Sequence, residues 1–103
     1  MDAATKKRLE AAGFVEITAQ ELFGLTPEEN ELVETRLALV SLLRRLRAEQ
    51  NLTQKAAAER VRSDQANISK AERGDPTISL DWLIRTAYLL GASRQEVGRA
   101  LCG

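Results

Sequence analysis

The chain has no histidine and only one cysteine among its 103 residues. Without histidine there is no imidazole general base, no Ser-His-Asp triad and no histidine ligand for a metal ion. The single Cys102 can form neither an internal disulfide nor a thiolate metal cluster, and it fits a reducing, intracellular setting. The sequence therefore predicts no catalytic residues, no metal site and no cofactor.

Aromatic residues, glycine and proline are also scarce. Aromatic side chains make up 4% of the sequence, so the core must be mostly aliphatic, and six glycines with two prolines are too few for a turn-dense β fold. Alanine, leucine, glutamate and arginine dominate, which favours helix. No apolar run approaches the roughly 20 residues of a membrane span, and no apolar region follows the charged residues 1–8. We expect an all-α, cytoplasmic protein with no membrane partner.

The net charge is zero, but the two signs are separated along the chain. Residues 1–35 carry three basic and eight acidic side chains, whereas residues 36–103 carry twelve basic and seven acidic ones. This asymmetry predicts an acidic N-terminal extension, 1–35, followed by a basic domain, 36–103. A basic domain suggests a polyanion as its partner, although charged helix faces are also common on proteins that bind no polyanion.

Capping signals and apolar spacing predict where the helices begin and end. Thr26, Pro27 and Glu29 form a strong start signal, because threonine caps a helix, proline suits its first position and glutamate completes a capping box. Apolar residues then recur at helical spacing to about residue 49. Similar signals place N-caps at Thr18, Thr53, Asp64, Ser79 and Ser93. Together these signals predict helices over 19–23, 27–49, 54–61, 65–72 and 80–90 and a last helix to about 101. Before the first of them, the sequence predicts a short helix over 5–12 and an extended run over 14–17.

Residues 52–74 carry the most informative pattern. They hold two short predicted helices separated by a tight turn at Arg62 and Ser63, which is the spacing of a helix-turn-helix. Small apolar residues on each helix let the two cross closely. The second helix turns Gln65, Ala66, Asn67, Ser69 and Lys70 outward, and amide and lysine side chains can bond base edges in the DNA major groove. Taken alone, the same side chains also fit an ordinary solvated face.

A wider pattern favours the DNA-reading interpretation. The groups Leu52-Thr53-Gln54, Ala58-Glu59, Ile68-Ser69-Lys70 and Glu72-Arg73-Gly74, with Pro76, Ser79-Leu80, Leu83 and residues 87–93 downstream, resemble the lambda-repressor/Cro-type helix-turn-helix family, also called the XRE family. The resemblance covers about residues 37–101. It implies an all-α fold, a lambda-repressor-like five-helix bundle with a helix-turn-helix, to which this chain adds a mostly helical N-terminal extension.

The resemblance also implies roles for the matching positions. Gln65, Ala66 and Lys70 would face base edges with Asn67 beside them, and Ala66 would offer its methyl to a thymine methyl. Arg47 and Glu72 would pair inside the core and clamp the first helix to the reading helix. Phosphate contacts would come from Gln54, helped by the helix N-terminus, and from the nearby side chains Thr53, Arg62, Ser69 and Arg73.

The sequence departs from the family pattern at the turn and in the core. The turn usually carries glycine where this chain has Arg62, and a left-handed conformation there costs a non-glycine residue roughly 1–2 kcal/mol. Either the turn differs, or Arg62 is tolerated because it touches phosphate. Ala57 and Ala71 are smaller than the usual residues, so we expect Trp82 or Tyr88 to fill the core.

The partners predicted are double-stranded DNA, a second copy of the chain and, in one reading, a small toxin protein. The leading function is a dimeric DNA-binding transcriptional repressor, with Leu89, Leu90, Val97 and Leu101 as apolar candidates for a dimer seam. Residues 1–35 could cover the bundle, form a dimerisation arm or bind a protein partner. The last reading gives the alternative function, an antitoxin of a type II toxin–antitoxin module or an adaptor. An enzyme is disfavoured, because no phosphate loop or metal constellation appears.

Overall fold

A computed structural model describes residues 19–102, and their side chains from residue 21 onward. This part of the chain is all-helical, which confirms the predicted fold class. The helices are α1 (Ala19–Phe23), α2 (Pro27–Glu49), α3 (Gln54–Val61), α4 (Gln65–Glu72), α5 (Leu80–Leu89) and α6 (Arg94–Cys102). The chain divides into two compact units, Met1–Leu32 and Val33–Gly103. The predicted helix over 5–12, the extended run over 14–17 and the Thr18 cap lie outside the described residues.

Local capping explains most of the helix boundaries. Thr26 and Glu29 form a reciprocal capping box, in which each backbone N–H donates to the other side chain, over 3.0 and 3.1 Å. The hydroxyls of Thr53 and Ser79 accept from the backbone N–H groups of Ala56 and Trp82, both at 3.0 Å. Helices α2, α3 and α4 begin and end at the predicted residues, while α5 stops one residue early, before Leu90.

The predicted Asp64 cap differs from the others. Asp64 occupies the N-cap position of α4 in an extended conformation, but its carboxylate makes no capping hydrogen bond. Its backbone carbonyl accepts instead from the N–H groups of Asn67 and Ile68. The Asp64 carboxylate is exposed at the start of α4, where it can accept a hydrogen bond from another molecule.

The core of the second unit is aliphatic, as the scarcity of aromatic residues predicts. Leu39, Leu42 and Leu83 are at most 2% exposed and lie among buried side chains from α2 to α6. Trp82 packs against this cluster as expected. Tyr88, in contrast, is 42% exposed, so the prediction that it could fill the core was wrong. Ala57 and Ala71 are each 1% exposed, so these small residues are buried where α3 and α4 pack, and Trp82 is the aromatic residue that packs against the cluster.

Three side-chain hydrogen bonds connect the helix-turn-helix and the loop after it to the surrounding helices. The Gln50 side chain donates to the carbonyl of Leu90 over 2.6 Å and accepts from Arg60 of α3. Arg36 of α2 donates to the carbonyl of Ile78, in the loop before α5. These bonds connect α3 and the loop after α4 to the two longest helices of the second unit.

Within residues 19–102, no helix is both long and apolar enough to cross a bilayer. The same part of the chain has no group of three or more cysteine, aspartate and glutamate residues that could hold a metal ion.

Candidate nucleic-acid interface

An ion pair joins α2 to α4 beneath the helix-turn-helix. Arg47 Nε and Nη2 donate to the two carboxylate oxygens of Glu72 over 2.6 and 2.7 Å, and Nη1 donates to the Leu52 carbonyl over 3.0 Å. The Glu72 side chain is 9% exposed and that of Arg47 is 26% exposed. The hydrogen bonds that Arg47 donates to Glu72 raise the pKa of Arg47, so the guanidinium stays charged. This two-pronged contact fixes the angle at which α4 is presented.

The turn between α3 and α4 is left-handed at Arg62. Its backbone has φ 55° and ψ 49°, a region in which glycine carries no strain. The N–H groups of Arg62 and Ser63 donate to the carbonyls of Glu59 and Ala58, which closes α3. The arginine side chain is exposed. The turn thus has a left-handed conformation that glycine adopts without strain, and it places a cation at the junction of the two helices.

Replacing Arg62 with glycine is expected to increase the stability of the fold and to weaken DNA binding. Arg62→Gly removes the left-handed strain and should raise the free energy of unfolding by about 0.5–1 kcal/mol, after the entropic cost of glycine. Removal of the cation should weaken DNA binding in both Arg62→Gly and Arg62→Ala, while Arg62→Lys keeps the charge and the strain. Urea denaturation and DNA titration of the three variants check this. A glycine variant that is less stable, or that binds DNA as well as the wild type, would contradict it.

One face of α4 is buried and the opposite face is open. Ile68 and Ala71 are 4% and 1% exposed against the core. Ala66, Lys70 and Arg73 are exposed on the opposite face. This outward face, together with exposed Gln65 at its edge and half-buried Ser69, contains five of the side chains predicted to read bases or contact phosphate. Arg73 Nη1 donates to Ser69 Oγ over 2.9 Å, so the hydroxyl helps to orient the guanidinium.

Asn67 lies at the other edge of the outward face from Gln65 and is less accessible. It is half-buried, and its amide nitrogen lies 3.4 Å from Ser63 Oγ in the turn. A rotation of 100° per residue places both Gln65 and Asn67 roughly 90–110° from the centre of the outward face. Burial toward the turn, and not helical position, therefore distinguishes Asn67 from exposed Gln65.

The N-terminus of α3 and the outward face of α4 meet at Gln54. The Thr53 hydroxyl caps α3, and the first turn of a helix leaves N–H groups that attract anions. Gln54 Nε2 lies 3.4 Å from Glu72 Oε1, a long contact that turns the amide nitrogen toward the ion pair. Its second amide hydrogen remains able to donate to another acceptor.

Arg44 is the functional candidate that sequence reasoning missed. It lines an open depression together with Arg47, Gln54, Ser69, Glu72 and Arg73. Arg44 precedes Arg47 by three residues on α2, a spacing that places both on neighbouring parts of the helix surface. That spacing could have identified it, had the contact between α2 and α4 been known. Since Arg47 is paired with Glu72, the remaining positive charge in the lining of the depression comes from Arg44 and Arg73.

The loop after α4 is held by a local turn. Gly74 has φ 74° and ends the helix, and Asp75 then accepts from the Thr77 hydroxyl at 2.7 Å and from its backbone N–H at 2.9 Å. These hydrogen bonds lower the pKa of Asp75, as do the nearby Lys70 and Arg73. The carboxylate therefore stays charged and offsets part of the positive charge at the C-terminal end of the outward face.

A family model described as a helix-turn-helix domain matches residues 38–100. Comparisons with curated proteins and with solved structures found no match. The matched residues include both helices of the 52–74 motif, the Arg47–Glu72 pair and the two helices that follow.

Proposed function

The chain belongs to this helix-turn-helix domain family, and from that premise we propose that it is a sequence-specific transcriptional repressor that reads the DNA major groove with α4. Domains of this family bind DNA in transcription regulation and are typically not enzymes. The observation that carries the proposal is the outward face of α4, which presents exposed Gln65, Ala66 and Lys70 from a helix fixed by the Arg47–Glu72 pair.

The chemistry of the outward face suits base recognition. The Gln65 amide can donate to and accept from adenine, Lys70 can donate to guanine, and the Ala66 methyl can contact the thymine methyl. Asp64 adds an exposed carboxylate at the start of α4, and such a group can accept from the cytosine amino group. Asn67 has a supporting role in this proposal, because its side chain is directed toward the turn.

Phosphate contacts would flank the bases on two sides. The first-turn N–H groups of α3, with Thr53 and Gln54, form one anion-binding site. Arg73, oriented by Ser69, and Arg44 supply cations across the depression, and Arg62 extends the basic surface at the turn. Such contacts fix the position of the protein on the duplex and leave sequence reading to α4.

The proposed contact between Arg44 and a DNA phosphate predicts a change in how binding depends on salt. Arg44→Ala should weaken binding to preferred and shuffled duplexes alike, and it should reduce the slope of log affinity against log salt by about 1. Arg85→Ala serves as the control, because Arg85 is an exposed arginine of α5 outside the depression. Titrations at several salt concentrations measure both slopes. Equal slopes for the wild type and Arg44→Ala would remove Arg44 from the interface.

We further propose that the protein acts as a homodimer, because a symmetric pair of helix-turn-helix domains reads two half-sites about one helical turn apart. Of the four apolar candidates for a seam, Leu90 and Val97 are 4% and 5% exposed and belong to the core. Leu89 and Leu101 remain exposed, at 48% and 46%.

We propose the chain's own gene as the first target of repression, and the DNA upstream of that gene tests this autorepression. Fluorescence anisotropy should show tighter binding to that duplex than to a shuffled duplex of the same composition, at low and at physiological salt. Equal affinity for both duplexes, falling in parallel with salt, would contradict autorepression and indicate binding to the backbone alone.

A specific observation in the first unit supports a second candidate function, an antitoxin or adaptor. Leu22, Phe23 and Leu32 are 62%, 71% and 57% exposed, and Glu28 and Glu29 lie nearby in sequence. Exposed apolar side chains among acids suit a basic protein partner such as a small toxin. Co-expression with a small basic protein encoded next to this gene tests it. We expect co-purification that is lost in Leu22→Ser/Phe23→Ser, and separate elution of the two proteins would exclude that partner.

A further inference from the structure

A groove on the second unit lies outside the helix-turn-helix. It runs between α2 and α6 with a volume of about 590 Å³. Its lining combines the small side chains of Ala38, Ser41 and Ala100 with the charged groups of Arg45, Glu96 and Arg99. Arg45 and Arg44 are consecutive on α2 and therefore point about 100° apart. The groove and the depression beside α4 are thus on different sides of the helix.

The α2 wall of the groove continues as a regular seam. Glu34, Ala38, Ser41 and Arg45 are separated by four, three and four residues, which places them on one face of the helix in the heptad pattern of a helix-helix contact. Glu34, Ser41 and Arg45 are exposed, and Ala38 is half-buried. Small residues in the middle of the seam permit close approach of another helix.

The charges of this seam are arranged symmetrically about its middle. Glu34 lies four residues before Ala38, and Arg45 lies four residues after Ser41. We propose that a second copy of this chain docks here, with the two α2 helices antiparallel about a two-fold axis between Ala38 and Ser41. In that register Glu34 of each copy faces Arg45 of the other, so the axis generates two identical ion pairs.

Other arrangements fit the charges less well. Parallel helices would place Glu34 against Glu34 and Arg45 against Arg45, which is repulsive at both ends. A nucleic acid would meet the Glu34 carboxylate, for which the described residues supply no ion-pair partner.

Arg45 is able to change partners. It lies 3.6 Å from Glu49 and 4.0 Å from Glu96, but its side chain is 55% exposed, and exposed ion pairs are weak. Contact with Glu34 of the other copy would be partly shielded from water by the helices themselves. The antiparallel pair therefore strengthens an existing charge network at little cost.

This inference rests on the proposal that the protein is a homodimer, and it adds where the two copies contact each other. The outward face of α4 contributes nothing to the groove, so docking leaves it open. The readouts below need no DNA. Failure of this interface and failure of DNA reading are therefore distinguishable.

Charge reversal tests the ion pairs by sedimentation equilibrium. Wild type should dimerise, and Glu34→Arg or Arg45→Glu alone should raise the dimer Kd by about tenfold or more, because each introduces two like-charge contacts. The double variant Glu34→Arg/Arg45→Glu should return the Kd toward the wild-type value. Arg85→Glu controls for net charge, and circular dichroism verifies folding. A monomeric wild type, unaffected single variants or an unrescued double variant would overturn the proposal.

Cysteine cross-linking tests the register independently. All chains carry Cys102→Ser, and Glu34→Cys is mixed with Arg45→Cys under mild oxidation. The proposed axis brings residue 34 of one copy to residue 45 of the other, whereas it leaves the two copies of residue 34, or of residue 45, about 16 Å apart along the helix. The mixture should therefore yield covalent dimer, and either variant alone should yield little. Equal yields in the three samples would exclude this register.

Discussion

Replacing Glu72 with alanine is expected to lower the free energy of unfolding by about 2–3 kcal/mol, near the lower end of the range for breaking a buried ion pair. The substitution removes two charge-assisted hydrogen bonds and leaves the Arg47 guanidinium partly buried without its carboxylate. Because Arg47 is 26% exposed, water reduces the loss. For a domain of this size the melting temperature should fall by roughly 10 °C or more. Urea and thermal denaturation measure the change.

An apolar pair provides the matched control for this substitution. Arg47→Met/Glu72→Leu removes both charges together and should recover most of the stability lost in Glu72→Ala, since buried ion pairs are often replaceable by apolar residues. Gln54, which contacts Glu72, keeps its helix position in both variants. If Glu72→Ala cost less than about 0.5 kcal/mol, as surface pairs do, the pair would not clamp α4.

The double variant Gln65→Ala/Lys70→Ala is expected to bind its preferred duplex at least about 30-fold more weakly, since each good base contact contributes roughly 1–3 kcal/mol. Affinity for a shuffled duplex should fall much less, because only the lysine charge is lost from the backbone attraction. Both side chains are exposed on α4, so the variant should fold normally. Anisotropy titrations with the two duplexes measure the ratio.

A matched pair on α6 controls for charge and composition. Arg94→Ala/Gln95→Ala also removes one cation and one amide from exposed helix positions. This variant should keep the wild-type ratio between preferred and shuffled duplexes. A ratio that survives Gln65→Ala/Lys70→Ala but falls in the control would show that base reading lies outside α4.

The fold was predictable where its signals are local. Thr26, Thr53 and Ser79 cap their helices as the spacing predicts, because a capping hydrogen bond depends on residues three positions apart. The outward position of Lys70 follows from the helical period and from burial of Ile68, whereas Gln65, only about 60° from Ile68 around the helix, is exposed at the first position of α4. Asp64 shows the limit of this reasoning, since a side chain with the right chemistry and position need not form the bond.

The candidate site was less predictable, because it depends on contacts between elements distant in sequence. Arg44 becomes relevant only when α2 is placed beside Gln54 and Arg73. The partial burial of Asn67 depends on its approach to Ser63 in the turn, and the sequence could not decide that Trp82 packs against the core while Tyr88 stays exposed. The left-handed Arg62 was one of two alternatives that the sequence left open. Tertiary packing decided each of these cases.

The central claim is that α4 reads DNA sequence, and selection from a pool of random duplexes tests it most directly. The wild-type protein should enrich a symmetric motif with two half-sites about one helical turn apart, and the Gln65→Ala/Lys70→Ala variant should fail to enrich it. A folded wild-type protein that leaves the pool random, or a variant that recovers the same motif, would contradict the claim.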